Sequence, residues 1–178
     1  MSFINIEIKA RCGDPNSIRQ ILNQRNAIFK GEDHQIDTYF KCHNGRLKLR
    51  EGNIENNLIH YKRKDQSGPK KSVVTLYRSK PGSTLKEILT QSLGILVIVD
   101  KKREIYFIDN VKFHIDSVEK LGSFIEIEAI DNTGQIAEQQ LRNQCEEYIR
   151  LFKIQPEHLI DRSYSDLLLD QIKFGANQ

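Results

Sequence analysis

Strict alternation of apolar and polar residues is the feature that most constrains how this chain can fold. Between Phe3 and Arg11 every second residue is apolar, and the side chains between them are Asn5, Glu7, Lys9 and Arg11. Successive side chains of a β-strand point to opposite faces, so this period predicts a strand with one apolar and one polar face. The same behaviour predicts further strands at 35–41, 46–51, 58–64, 72–78, 96–101, 103–109, 111–118 and 124–130.

Helices and tight turns separate these strands. Asp14 followed by Pro15 predicts a helix start, with the helix running to about Asn26. Further helices are predicted at 81–93, 133–152 and 164–172, and a tight turn at 43–45. Hairpin connections make the sheet antiparallel, and such a sheet with many strands tends to curl and close. We therefore predict the α+β class, with a β-barrel and helices packed outside it.

The charged faces of the strands allow two arrangements. In the first, the apolar faces fill the barrel and the charged faces meet water, which is usual for antiparallel sheets. In the second, the charged faces line a tunnel and the apolar faces carry the helices. The second is favoured because the helices have apolar stripes to cover. The charges are also segregated, since the central strands are basic whereas the first and late strands carry Glu7, Asp116, Glu126 and Glu128.

A basic lobe facing an acidic lobe fits a complex of metal and polyphosphate. Arginine and lysine bind phosphate oxygens, and carboxylates hold a hard cation that bridges to them. The basic residues between 46 and 80 also suggest a nucleic-acid-binding barrel. Aromatic residues are not interleaved with them at a stacking density, and neighbouring carboxylates would repel a phosphate backbone. We therefore expect a small-molecule partner and no nucleic acid.

Bulk properties set the remaining limits. The 178 residues suit a single domain, 1–178, with a net charge of only +3. No apolar run is long enough for a membrane helix and no signal peptide is evident, so we expect no membrane association. Three cysteines without CxxC spacing fit a reducing cytoplasm and do not support a structural zinc site.

Short motifs along nearly the whole chain carry a family resemblance. They are Asn5-Ile6-Glu7-Ile8-Lys9, the segments 34–40, 45–50, 58–63, 101–103, 114–118 and 121–128, and finally 162–168. In this order they resemble the CYTH superfamily, also called triphosphate tunnel metalloenzymes. That superfamily includes class IV adenylyl cyclases, thiamine triphosphatases and inorganic tripolyphosphatases. The segments around Tyr61 and Lys71-Ser72 look closest to the class IV cyclases.

The resemblance implies a closed eight-stranded antiparallel barrel, a requirement for Mg²⁺ or Mn²⁺, and cleavage or cyclisation at a triphosphate. Residues matching the family's metal-binding carboxylates are Glu7, Glu126 and Glu128, with Asp116 as a further candidate. Residues matching its triphosphate contacts are Lys9, Lys48, Arg50, Lys62, Lys101 and Arg103. Arg162 is added to the contacts because, with Tyr164, it belongs to the segment that plugs one tunnel end in the family.

One position departs from the family. Asn5 stands where the family motif has its first glutamate, so a neutral carbonyl oxygen replaces a charged metal ligand. Such a site should hold its cation more weakly. A non-catalytic triphosphate-binding module is therefore the alternative to an enzyme. The sequence leaves open cyclase or hydrolase chemistry, the identity of the triphosphate, and whether the protein forms a homodimer.

Overall fold

The computed structural model describes residues 2–175, which form eight strands and four α-helices. The strands are β1 (Ser2–Arg11), β2 (Ile28–Phe40), β3 (Arg46–Glu51), β4 (Asn57–Arg63), β5 (Lys70–Arg78), β6 (Ile95–Ile108), β7 (Val111–Val118) and β8 (Gly122–Asp131). The helices are α1 (Pro15–Gln24), α2 (Leu85–Leu93), α3 (Glu138–Leu151) and α4 (Tyr164–Gly175), and a 3₁₀ turn spans Pro156–His158.

The strands close into an antiparallel barrel in the order β1-β5-β4-β3-β2-β6-β7-β8. This confirms the predicted α+β class and the closed eight-stranded barrel. The sequence predicted one strand too many, because the segments 96–101 and 103–109 are parts of the single 14-residue strand β6. Lys102 is exposed between the buried Lys101 and Arg103, so the alternation continues without a break.

The helix starts follow local capping chemistry. The Asp14 carboxylate accepts hydrogen bonds from the backbone nitrogens of Asn16 (3.1 Å) and Ser17 (3.2 Å), which confirms the predicted start of α1. Helix α3 begins at Glu138, five residues later than predicted at 133. The reason is that the Asp131 carboxylate binds backbone amides of the segment 133–136, which folds it into a turn.

Gly45 makes the hairpin between β2 and β3, as the sequence predicted. Its φ is +75°, and a Cβ atom there would lie 2.7 Å from the carbonyl oxygen of Tyr61. Only glycine therefore fits this position without strain. Among residues 2–175, no helix has both the length and the apolar character needed to cross a membrane.

The main hydrophobic core lies outside the barrel, between its wall and helices α1 and α3. Ile6, Ile127 and Phe113 are fully buried there and pack in one cluster with Leu141 and Cys145 of α3. This arrangement removes the apolar faces of β1, β7 and β8 from the barrel interior. It confirms that the sheet is inverted, with its charged faces inside.

Helix α4 closes one end of the barrel. Tyr164 and Leu168 pack with Phe124 and Val118 in a second apolar cluster. The Tyr164 hydroxyl donates a hydrogen bond of 2.7 Å to Asp116 Oδ2 inside the barrel. The C-terminal segment therefore plugs one tunnel end, as the resemblance implied.

Candidate functional site

A cavity lies inside the barrel and is lined by the inward faces of its strands. Its volume is about 160 Å³, which is room for on the order of ten water molecules. Its lining contains these charged residues: Glu7, Lys9, Lys48, Arg50, Glu55, Arg63, Lys101, Arg103, Lys112, Glu126 and Glu128. A tunnel of this polarity suits a charged ligand, because an apolar molecule would not replace the hydration of these groups.

The basic side of the tunnel is organised around Asp37 of β2. The Asp37 carboxylate contacts Arg50 at 2.8 Å and Lys48 at 2.9 Å. It also contacts the Lys101 Nζ at 2.6 Å. Burial opposes the charge of Asp37, but the cations Arg50, Lys101 and Lys48 hold its pKa well below the usual range. One buried carboxylate thus orients three cations toward the tunnel.

Lys101 is the cation most affected by this crowding. Burial lowers the pKa of Lys101 to about 7. The negative charge of Asp37 raises this pKa, but the positive charges of Arg50 and Arg103 lower it. A lysine poised in this way gains from any further anion placed next to it. An incoming phosphate would supply such an anion.

Arg103 of β6 is committed to partners within the wall. Its Nε and Nη2 donate to the two oxygens of Asp116, at 2.7 and 2.5 Å, and Nη2 also reaches Glu126 at 2.7 Å. Asp116 in turn accepts from Tyr164. The structure therefore places Asp116, a predicted metal candidate, in an ion pair at the plugged end of the tunnel.

An acidic cluster faces the basic side. It consists of His114, Glu126 and Glu128, whose ligand atoms lie within 4.8 Å of one another. The His114 Nδ1 lies 3.3 Å from Glu126 and 3.6 Å from Glu128. Burial lowers the pKa of His114 to about 3, so its imidazole is neutral near pH 7 and can serve as a ligand. Sequence reasoning gave His114 no role, although its alternation with Ile115 already placed it on the inner face.

Glu128 carries an unusual proton affinity. Burial raises its pKa to about 7. Lys112 lowers this pKa, whereas the negative charges of Glu7 and Glu126 raise it further. Carboxylates held this close repel each other, and a cation between them would relieve the repulsion. Two carboxylates and an imidazole form a donor set that a divalent ion can use.

Glu7 and Lys9 of β1 lie between these groups. Glu7 pairs with Arg63, and Lys9 Nζ lies 3.1 Å from Glu126 and 3.6 Å from the centre of the Tyr164 ring. Both side chains therefore face the tunnel, as the alternation of β1 predicted. Glu7 belongs to the lining but outside the group of His114, Glu126 and Glu128.

The inward face of β4 differs from the prediction. Lys62 is exposed on the outside of the barrel, whereas Tyr61 and Arg63 line the tunnel. The prediction of an inward Lys62 assumed that Ile59 and Tyr61 belong to the outer, apolar face. They form part of the tunnel wall instead, so the alternation is offset by one residue.

Arg63 replaces Lys62 as the tunnel cation from this strand. One of its nitrogens, Nη1, donates to Glu7. Its Nε and Nη2 are buried and have no hydrogen-bond partner within residues 2–175. Buried donors of this kind are rare in folded proteins, so we expect an acceptor from a ligand or from water beside them.

Arg162 also lies away from the tunnel. Its side chain is 49% exposed and pairs with Asp161 and Asp170 near the start of α4. The structure thus places Arg162 at the outside of the plug, while Tyr164 takes the inner position.

Glu55 is a lining residue that sequence reasoning missed. It lies in the loop between β3 and β4, and its carboxylate contacts Arg50 at 2.8 Å and Lys112 at 2.5 Å. Asp33 holds this loop by accepting from the backbone nitrogens of Ile54 (2.8 Å) and Glu55 (3.0 Å). A loop has no period to reveal an inward side chain, so the only sequence signal was an acidic residue between basic strands.

Residues 4–164 match the family model of the CYTH domain, and the chain belongs to that family. Among curated proteins, one from Methanocaldococcus jannaschii named "Putative adenylate cyclase MJ0240" is 27% identical over 188 residues. The match covers 93% of this chain and 98% of that protein.

Solved structures share the fold. The PH1012 protein of Pyrococcus horikoshii OT3 superposes with a TM-score of 0.75 at 22% identity, covering 92% of this chain and 98% of that one. HpAC1 from Hippeastrum, described as a putative adenylyl cyclase with a dominant triphosphatase activity, gives a TM-score of 0.60 at 12% identity, with 96% of both chains covered. At these identities the likeness shows a common barrel.

Proposed function

We propose that the tunnel binds a triphosphate together with a divalent cation, and that the protein is an enzyme acting on this triphosphate. The observation that carries the proposal is the pair of buried, unpartnered donors on Arg63, a residue that lines the tunnel together with the cations Lys48, Arg50 and Lys101. Membership of the CYTH family and the name of the Methanocaldococcus relative support a cyclase. The description of the Hippeastrum protein supports a triphosphatase.

The metal-binding part of the proposal rests on His114, Glu126 and Glu128. Mg²⁺ prefers oxygen ligands, whereas Mn²⁺ also accepts an imidazole, so the donor set fits Mn²⁺ and accommodates Mg²⁺ through the two carboxylates. When bound there, the cation would offset charge on the phosphate oxygens. Glu7 and Asp116 lie outside this group of converging ligand atoms, so they rank behind the cluster as ligands.

The chain's own cations would orient the phosphate chain. Charge-assisted hydrogen bonds from Arg50 and Arg63 fix phosphate oxygens more firmly than neutral donors do. Lys48 and Lys101 add positive charge on the same side of the tunnel. Holding the phosphates in one geometry against these groups is the main catalytic task in phosphoryl transfer.

A substrate panel tests the proposed activity. The protein is incubated with ATP, thiamine triphosphate or tripolyphosphate, each with Mg²⁺ or Mn²⁺, and cyclic product is resolved from released phosphate. A cyclic nucleotide supports the cyclase, and phosphate or diphosphate without cyclic product supports the hydrolase. The matched control is Glu126→Gln, which removes one charge from the acidic cluster and should abolish turnover. Equal turnover by both proteins would contradict the proposed site.

The affinity for Mn²⁺ should rise with pH. Glu128 with a pKa of about 7 binds a proton below that pH and must release it to bind a cation. Its ionised fraction rises from roughly one tenth at about pH 6 to roughly nine tenths at about pH 8, so the Mn²⁺ dissociation constant should fall by up to about tenfold. His114, with a pKa of about 3, stays neutral over this range.

Calorimetric titration with Mn²⁺ alone measures this dependence. Glu128→Gln has no proton to release and should bind Mn²⁺ more weakly with a flatter pH profile. A wild-type dissociation constant that is unchanged over this range would show that Glu128 does not ligate the cation.

A non-catalytic triphosphate-binding module is the second candidate, and Asn5 is the observation that favours it. The neutral amide replaces a carboxylate next to Glu7 on the inner face of β1. Tight calorimetric binding of tripolyphosphate without turnover of any panel member would support the module.

For the compartment, we infer a reducing one such as the cytoplasm, supported by Cys12, Cys42 and Cys145, which are free thiols in the described part of the chain.

A further inference from the structure

The polarity of the tunnel changes along its axis on four adjacent strands. On β1 the inward residues run from Phe3 through Asn5 to Glu7 and Lys9. Strand β5 runs the opposite way, and the residues that it contributes to the cavity are Ser72, Val74 and Leu76. On β8 the inward residues are Glu126, Glu128 and Ile130. Since these strands are antiparallel, their apolar residues meet at the same end of the tunnel.

Strand β4 shows the same change from Arg63 to Ile59, and the polar Asn57 follows Ile59 at the start of the strand. Arg63 lies beside Ser72, Tyr61 beside Val74, and Ile59 beside Leu76. The opposite wall does not change in this way, because Lys48, Arg50, Lys101 and Lys112 keep it charged. One quadrant of the tunnel, at the end where β1 begins, is therefore apolar. We call this quadrant the apolar wall, and it comprises Phe3, Ile59, Val74, Leu76 and Ile130.

Two buried polar atoms lie at the border of the apolar wall. Asn5 and Ser72 are direct cross-strand neighbours on β1 and β5, with exposures of 3% and 1%. Within residues 2–175, neither Asn5 Oδ1 nor Ser72 Oγ has a hydrogen-bond partner. Both residues line the cavity. A buried oxygen without a partner is unfavourable by itself, so beside a cavity a hydrogen bond from a ligand or from water would stabilise it.

We propose that the apolar wall with Asn5 and Ser72 is a subsite for the uncharged organic part of the ligand, so that the preferred substrate class is an organic triphosphate ester rather than inorganic tripolyphosphate. This inference rests on the proposed function of the same tunnel. The Asn5 oxygen accepts a hydrogen bond, and the Ser72 hydroxyl donates or accepts one. They therefore select an organic group that bears a hydroxyl or amine, such as the sugar or base of a nucleoside.

The same contacts give Asn5 a role that a weakened metal ligand would not have. Asn5 is flanked across the sheet by Ser72 on one side and Ile130 on the other. A carboxylate between a hydroxyl and an aliphatic side chain would be poorly solvated and would repel phosphate. An amide suits contact with a neutral ligand group. The next inward positions are the carboxylates Glu7 and Glu128, and only Glu128 belongs to the acidic cluster.

Calorimetry with two esters of equal phosphate charge tests the subsite. ATP carries a sugar and a base, whereas methyl triphosphate carries only a methyl group on the same phosphate chain. Wild type should bind ATP more tightly than methyl triphosphate. Asn5→Ala and Ser72→Ala should each weaken ATP binding by about threefold to tenfold, the loss of one hydrogen bond, and leave methyl triphosphate within about twofold.

Two further variants guard against indirect effects. Val74→Thr keeps the side-chain shape but places a hydroxyl in the apolar wall, and should weaken ATP alone. Val73→Ala changes the neighbouring exposed residue on the outside of β5 and should change neither ligand. Thermal unfolding of each variant checks that the barrel is intact.

The outcomes distinguish a failure of the subsite from a failure of the proposed function. The subsite is supported if wild type prefers ATP over methyl triphosphate and this preference is smaller in Asn5→Ala and in Ser72→Ala. Equal binding of both esters, or equal weakening of both in these variants, overturns the subsite and leaves the proposed function standing. If neither ester nor tripolyphosphate binds, the proposed function fails and the subsite fails with it.

Discussion

Arg103→Ala is expected to destabilise the barrel by about 3–5 kcal/mol, which is typical for removing one partner of a buried ion pair. Arg103 is 3% exposed and donates to both oxygens of Asp116 and to Glu126. Removing the guanidinium leaves these two carboxylates buried without their main counter-ion. Denaturant unfolding followed by circular dichroism would measure the loss.

A double-mutant cycle separates the pair from other effects of the truncation. Asp116→Asn in the Arg103→Ala background removes one of the two stranded charges, so it should recover part of the lost free energy of unfolding. The two substitutions should therefore be non-additive. Additive losses, or an Arg103→Ala protein as stable as wild type, would show that Arg103 does not hold the wall together.

This prediction also revises the role of Arg103. The family resemblance assigned it to the triphosphate, but its donors are directed to Asp116 and Glu126 in the wall. Its charge still reaches the tunnel, because it lines the cavity. We therefore expect its main contribution to be the position and ionisation of Glu126, whose pKa it holds down against burial together with Lys9.

Strand alternation predicted most of the fold correctly. The charged faces of β1, β3, β7 and β8 point inward as expected, because charged or polar residues alternate with apolar ones along these strands. Lys101 and Arg103 of β6 also line the tunnel. The extra strand near Lys102 arose from reading a run of basic residues as a break. A pattern of residue types cannot separate a turn from an exposed lysine in a long strand.

The site was less predictable than the fold, and β4 shows why. In the segment 59–64, one face carries Ile59, Tyr61 and Arg63 and the other carries His60, Lys62 and Lys64. Both faces contain basic residues, so either could be the inner one. The decisive information is tertiary: Ile59 and Tyr61 join the inner wall beside Leu76 and Val74 of β5. His114 and Glu55 were missed for different reasons. A lone histidine is usually structural, and a loop carboxylate has no periodicity.

The second large effect is expected at Arg63, which lines the tunnel, and not at its neighbour Lys62, which is exposed on the outside of β4. Arg63→Ala is expected to weaken tripolyphosphate binding by about 1.5–3 kcal/mol, which is about tenfold or more in dissociation constant. The Arg63 side chain is only 4% exposed, and its Nε and Nη2 lack partners within residues 2–175. A phosphate oxygen would satisfy these donors by charge-assisted hydrogen bonds, which are about twice as strong as neutral ones.

Lys62→Ala is the matched control for this experiment. It removes a positive charge from the next residue of the same strand, but on the exposed outer surface. Water and salt screen an exposed charge, so its removal should change the affinity for tripolyphosphate little. Calorimetry should therefore show near wild-type binding. Arg63→Lys tests geometry, because it keeps the charge and loses the planar donor group, and should recover only part of the affinity. Equal weakening by Arg63→Ala and Lys62→Ala would mean that tripolyphosphate senses only the net charge of the protein and that the unpartnered Arg63 donors are not its binding site.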